Sequence, residues 1–347
     1  MSITRRQILQ MVGAGLAATQ VPLATASGLF SRSTLKPPRL KTGQTVGLIN
    51  PAGATFHHDD VAIAEETLAA LGLKMKSGEH LLDRYGYLAG TDAARASDVN
   101  AMFADPDVDA ILTLRGGWGC NRILNLLDYK SIAKHPKIIM GYSDITSLLL
   151  ALNAKTGLVT FHGPVGISTW NEYSTDFVKR LLFEAKTFSM ENPQDIGDNL
   201  TQTKDRILTI NSGTARGKLQ GGNLSVFTAM VGSDYLPDFK NSILFLEEVG
   251  ENIYRVDRML TQLKLAGILD ELSGFIFGKC NDCGPGEDYG SLTLDDVLDD
   301  HIKPLGIPAW YGSMIGHISD KFTMPLGIEA EIDAAKGKIT LLESAVI

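Results

Sequence analysis

Cysteine is scarce in this chain: Cys120, Cys280 and Cys283 are the only three. That excludes a disulfide-stapled scaffold, and a lone Cys280-x-x-Cys283 lacks the second ligand pair of a structural zinc site. No thioredoxin-like context surrounds it, so two unpaired thiols are expected, with a small disulfide as the alternative in an oxidising compartment. Positive charge is also in short supply, with 32 basic against 40 acidic residues and a formal charge of −8. Such a surface does not attract nucleic acid or anionic lipid. No apolar run reaches the ~20 residues that a membrane span needs. Nucleotide signatures are missing as well. Arg115-Gly116-Gly117-Trp118-Gly119 is glycine-rich but has neither a Gly-Lys-Ser/Thr ending nor G-x-G-x-x-G spacing.

What is present begins with Arg5-Arg6, followed by a short Gly/Ala-rich apolar stretch and then Ala24-Thr25-Ala26. Charge, apolar core and small-residue cleavage pattern come in the order of a secretory signal. The arginine pair makes residues 1–26 a twin-arginine-type signal peptide, which exports folded proteins through its own machinery. A periplasmic location is therefore expected. The alternative is an amphipathic helix belonging to the mature fold.

The remaining chain alternates strand-like and helix-like segments, as a parallel sheet covered by helices requires. Thr45–Asn50, Ala110–Leu114, Lys137–Met140 and Val159–Phe161 read as buried strands, and Val61–Leu71, Thr91–Ala104 and the segment from Ile145 as helices. An N-terminal domain is expected over 40–185, a polar linker over 186–210 and a second domain over 211–347. In the latter, Ser242–Leu246 and Gly274–Phe277 read as strands, Tyr254–Ala266 as a helix, and the C-terminal end as a hairpin.

In parallel sheets, functional residues collect beyond the carboxyl ends of strands. Ser143 follows a strand and precedes a helix, so a sharp turn there would lift its hydroxyl clear of the sheet, with free helix N–H groups behind it. The full Gly-x-Ser-x-Gly signature is absent, and a serine in this position is commonly an N-cap. Glu247 is expected to end its strand, where a carboxylate can hold an imidazole; the plainer reading of Glu247-Glu248 is a pair of solvated acids. His317 lies in the loop Gly316-His317-Ile318, with His162 as its main competitor. Ser, acid and His in this order fit one arrangement of a serine-hydrolase triad. The glycines at 116 and 117 would let backbone N–H groups approach a ligand closely, as in half of an oxyanion hole.

Leu114-Arg115-Gly116-Gly117-Trp118-Gly119, Gly141-Tyr142-Ser143-Asp144, Leu246-Glu247-Glu248 and Gly316-His317 together resemble the LD-carboxypeptidases, or muramoyltetrapeptide carboxypeptidases. The similarity runs from about Thr45 to the C-terminus. It implies an N-terminal Rossmann-like parallel-sheet domain bearing the serine and a smaller C-terminal α/β domain bearing Glu and His, with the site at their interface. The resemblance further implies Ser143 as nucleophile, His317 as general base and Glu247 as its orienting partner. Oxyanion donors would be the N–H groups of Asp144 and Gly117, beside Gly116. No metal or cofactor is implied, the substrate would be a murein tetrapeptide, and dimers are common in the family. Relatives that cleave peptide–nucleotide antibiotics supply the alternative enzyme reading, and an exported ligand-binding protein the non-enzymatic one.

Overall fold

The computed structural model describes residues 33–284 and 290–347, so the expected signal segment lies outside the described residues. Short, mostly apolar runs bury both faces and become central strands, as expected for parallel sheets covered on both sides. These are β1 (Thr45–Ile49), β3 (Ala110–Thr113), β4 (Ile138–Gly141) and β5 (Thr160–His162). The polar run Lys74–Ser77 forms β2 on the edge. All five pair in parallel. A sixth strand, β12 (Met324–Leu326), comes back from the far end of the chain and pairs antiparallel with β5, giving the order β12-β5-β4-β3-β1-β2.

The second sheet has eight strands: β6 (Ser189–Met190), β7 (Leu208–Asn211), β8 (Thr214–Asn223), β9 (Ile243–Val249), β10 (Gly274–Asn281), β11 (Ala309–Tyr311), β13 (Glu329–Asp333) and β14 (Lys338–Leu341). Its centre, β8 to β11, is parallel, and antiparallel strands flank it on both sides. The two-sheet α/β architecture is the one expected, with several local differences. The segment expected as a linker supplies β6 and the start of β7, because its few apolar side chains, such as the buried Met190, have a sheet to pack on. Glu247 does not end its strand: β9 runs on through Val249, since both of its acids find buried partners. Asn121–Leu127, whose pattern after the glycine loop reads as a helix, is instead mostly a 3₁₀ segment, Cys120–Leu126. Cys280 and Cys283 are bonded to each other, contrary to the unpaired thiols expected. The reason is that β10 extends to Asn281 and the chain turns back at Asp282 (φ 53°), leaving the two Cα atoms 5.4 Å apart, within disulfide reach.

Helix Thr146–Thr156 ties the two sheets together. It begins just after Ser143 and is buried over most of its length. Thr146 Oγ1 accepts from the N–H of Asn223 at 3.0 Å, and Asn153 Oδ1 accepts from Gln220 Nε2 at 2.9 Å. At Gly222 a Cβ would fall 2.5 Å from Thr146 Oγ1, so only glycine allows β8 to approach this closely. This contact sets the end of β4 against the ends of β8 and β9.

Candidate active site

The β4 run Ile138-Ile139-Met140-Gly141 leaves the sheet through Tyr142, which is extended (φ −147°, ψ −173°), and Ser143, which is left-handed (φ 65°). A 3₁₀ turn over Ser143–Ile145 then leads into helix Thr146–Thr156. For a serine this backbone costs about 1–2 kcal/mol, and such strain is tolerated where it aims a side chain. Gly141 makes the turn possible: a Cβ there would lie 2.3 Å from Thr113 Oγ1.

Two more strand ends meet this turn. Gly116, after β3, accepts from the N–H of Gly53, after β1, at 3.2 Å. A Cβ on Gly116 would fall 2.7 Å from Ser143 Cβ and 3.0 Å from its Oγ. Gly117 (φ 124°) is exposed and lies against Gly53, with Trp118 71% exposed beside it. Asp144 is buried, and its Oδ2 accepts from the N–H of Cys120 at 2.8 Å. Its side chain therefore holds the end of the Gly116–Gly119 loop, a role that sequence reasoning did not give it. Arg95, also unanticipated, holds the same loop from the other side by donating to Gly119 O at 2.8 Å and Pro51 O at 2.5 Å. Gly116→Ala should displace Ser143 and lower kcat roughly 100-fold or more, the scale of an ångström's misplacement of a reacting group. Unchanged thermal melting with kcat lost would check this.

Glu247, on β9, is completely buried, and its Oε2 lies 2.8 Å from His317 Nδ1. Burial alone would raise the Glu247 carboxyl, but the hydrogen bond and charge of His317 outweigh it and hold the carboxyl below its ordinary value. Gly316 (φ 131°) turns the loop that carries His317 against β9, and a Cβ there would sit 3.1 Å from Glu247 Oε2. The His317 side chain is 20% exposed, with the Tyr142 ring edge-on at 4.9 Å between centroids. The structure thus brings Glu247 and His317 into contact and sets the imidazole beside the Ser143 turn. Ser143 Oγ and His317 share no hydrogen bond here; resting sites are often looser than reacting ones.

Glu248 faces the opposite way and is not solvated. It accepts from Asn223 Nδ2 (3.0 Å), Ser225 N (2.8 Å) and Ser225 Oγ (2.6 Å). The signal was its place in a strand too apolar to be an exposed edge. His162, the competing histidine, is buried against Tyr142 and Phe245, away from solvent. Burial pushes its pKa from 6.5 down to about 4, so it is neutral in the fold at physiological pH. Between these values the unfolded chain binds the extra proton, so stability falls as pH drops from about 6.5 to about 4. The loss should be on the order of 3 kcal/mol, and His162→Phe should flatten that part of a melting-temperature-versus-pH curve.

Among the described residues, no group of three or more His, Cys, Asp or Glu side chains is placed to hold a metal ion. A strained serine at a strand end, beside a buried carboxylate paired with a partly exposed imidazole, is a constellation suited to acyl transfer. The comparisons with known proteins show a peptidase. The sequence model of the LD-carboxypeptidase N-terminal domain matches residues 46–163, and that of its C-terminal domain residues 216–332. This chain belongs to the LD-carboxypeptidase family of peptidases. It is 39% identical over 320 residues to a probable murein peptide carboxypeptidase of Bacillus subtilis, covering 92% of this chain and 97% of that one. Among solved structures, the microcin C7 self-immunity protein MccF in complex with glutamyl sulfamoyl guanosine superimposes with a TM-score of 0.81 at 28% identity, covering 90% of this chain and all of that one. The muramoyltetrapeptide carboxypeptidase of Oxalobacter formigenes does so with a TM-score of 0.72 at 27% identity, covering 86% and 98%.

Proposed function

We propose that this peptidase is a serine-type LD-carboxypeptidase that releases terminal D-alanine from murein tetrapeptides. The Glu247–His317 contact beside the strained Ser143 turn carries the reading. Ser143 Oγ attacks the carbonyl carbon of the L-centred residue while His317 takes its proton. The resulting oxyanion is met by the N–H groups of Asp144 and Gly117. The C–N bond then breaks, His317 protonates the departing amine, and water hydrolyses the ester by the reverse proton path. Glu247 keeps His317 in the required tautomer and stabilises its charged form.

A second reading, cleavage of a peptide–nucleotide antibiotic or its acyl-amide product, is favoured by the TM-score of 0.81 to the self-immunity protein. Incubating the protein with a murein tetrapeptide and, separately, with an aminoacyl sulfamoyl nucleoside separates the two by product mass. The first reading expects tripeptide plus D-alanine and little turnover of the nucleoside. The reverse pattern supports the second, and a folded protein that turns over neither supports the ligand-binding alternative.

We also propose that the protein acts in the periplasm after export by the twin-arginine route. Arg5-Arg6 and Ala24-Thr25-Ala26 support this, as does the Cys280–Cys283 bond, which persists in oxidising compartments. Intact mass of periplasmic material should place the first residue at Ser27. Full-length protein confined to the cytosol would contradict it.

A further inference from the structure

We infer that Lys321 anchors the free carboxylate of the substrate's C-terminal residue and so imposes the requirement for an unblocked C-terminus. The inference rests on the proposed peptidase reaction and identifies the side chain that holds one part of its substrate.

Among the described residues three cations are buried: Arg95, Lys137 and Lys321. Two of these cations have hydrogen-bonded charged ends, although Arg95 Nε itself has no partner among the described residues. Arg95 donates to Pro51 O and Gly119 O and pairs with Asp92, and Lys137 donates to Met102 O and Asp105 O. Lys321 is only 4% exposed, yet its ammonium has no hydrogen-bond acceptor among the described residues and no carboxylate within 4.0 Å. It carries three N–H donors. The face of Tyr142 lies close to it, 4.1 Å from Nζ to the ring centroid. That contact offsets only part of the cost of burying most of the side chain, and Nζ itself is not fully covered, so an anion can reach it.

The placement fits the reaction. Tyr142 directly precedes Ser143, and its ring also packs on His317. In the substrate, the terminal carboxylate belongs to the residue whose nitrogen leaves, about one residue length (~3.8 Å between Cα atoms) from the carbonyl under attack. An anchor must therefore stand about this close to the nucleophile. The Lys321 backbone is also held in place: its main-chain N–H donates to Ser174 Oγ at 3.0 Å, and Ser174 Oγ donates to Ser319 O at 3.0 Å. Burial lowers the amine to about 8 against the opposing pull of Glu247, so it is mostly protonated at neutral pH. Glu247 gives Oε2 to His317; its Oε1 has no partner among the described residues but lies more than 4.0 Å from the ammonium, whose donors are left for an incoming anion.

The test is calorimetric binding of a murein tetrapeptide and of its C-terminal amide to the full chain carrying Ser143→Ala, so that neither is consumed. With Lys321 present, the acid should bind roughly 10–100-fold tighter than the amide, the scale of a charge-assisted hydrogen bond. Lys321→Met should abolish that preference by weakening acid binding alone, and Lys321→Arg should restore part of it. If Lys321→Met melts early, Lys321→Gln serves the same comparison. A folded neutral variant that keeps the acid preference, or that loses acid and amide binding equally, overturns the inference alone. A Lys321-containing protein that binds neither peptide overturns the functional reading and this inference with it.

Discussion

Replacing Ser143 by alanine should lower kcat for D-alanine release on the order of 10⁴–10⁶-fold, the range seen when a triad nucleophile is removed. The fold should survive. The side chain is small, only partly buried and without a hydrogen-bond partner among the described residues, and alanine inherits the same left-handed backbone that serine already tolerates. What remains should be the catalysis that oxyanion donors and substrate binding provide on their own. D-alanine release measured beside thermal melting separates lost chemistry from lost structure. Near-normal turnover by well-folded Ser143→Ala would exclude serine nucleophilic catalysis at this site.

Glu247→Gln should cost on the order of 10³–10⁴-fold in kcat. The carboxamide fills the same volume, but it removes the negative charge from a group with no exposure to solvent and changes what His317 Nδ1 meets. The imidazole then loses both its preferred tautomer and support for its protonated form. Because Ser143, His317 and Glu247 act on one transition state, combining Glu247→Gln with Ser143→Ala should cost little more than Ser143→Ala alone. Full additivity of the two losses would show that Glu247 acts outside the same step.

Much of the site could be read before the structure because its parts stand where a strong local pattern breaks. The apolar runs of β3 and β4 stop at Gly116 and Ser143, and a buried strand that ends in a glycine-flanked turn has few alternative conformations. The same logic failed where the fold depends on contacts far apart in sequence. Glu248 read as a solvated charge and Lys321 was not singled out at all, since nothing in their neighbours announces Asn223 and Ser225 on one side or the face of Tyr142 on the other. Strand β8 has little alternation to recognise. Gly221 and Gly222 are there because Phe245 and Thr146 leave no room for a side chain, a demand that comes from β9 and from the helix after Ser143. Strand β12 crossing back to pair with β5, and the 186–210 segment joining the second sheet, are likewise settled by partners more than a hundred residues away. The Cys280–Cys283 bond escaped because its geometry depends on how far β10 extends.

The central claim is that Ser143 forms a covalent acyl intermediate with the L-centred part of a murein tetrapeptide. It is tested most directly by acid-quenching the protein during turnover of that peptide and mapping the adduct by mass spectrometry. The account predicts a tripeptidyl ester on the peptide containing Ser143, formed together with D-alanine and absent from Ser143→Ala. An adduct on a different residue would contradict it.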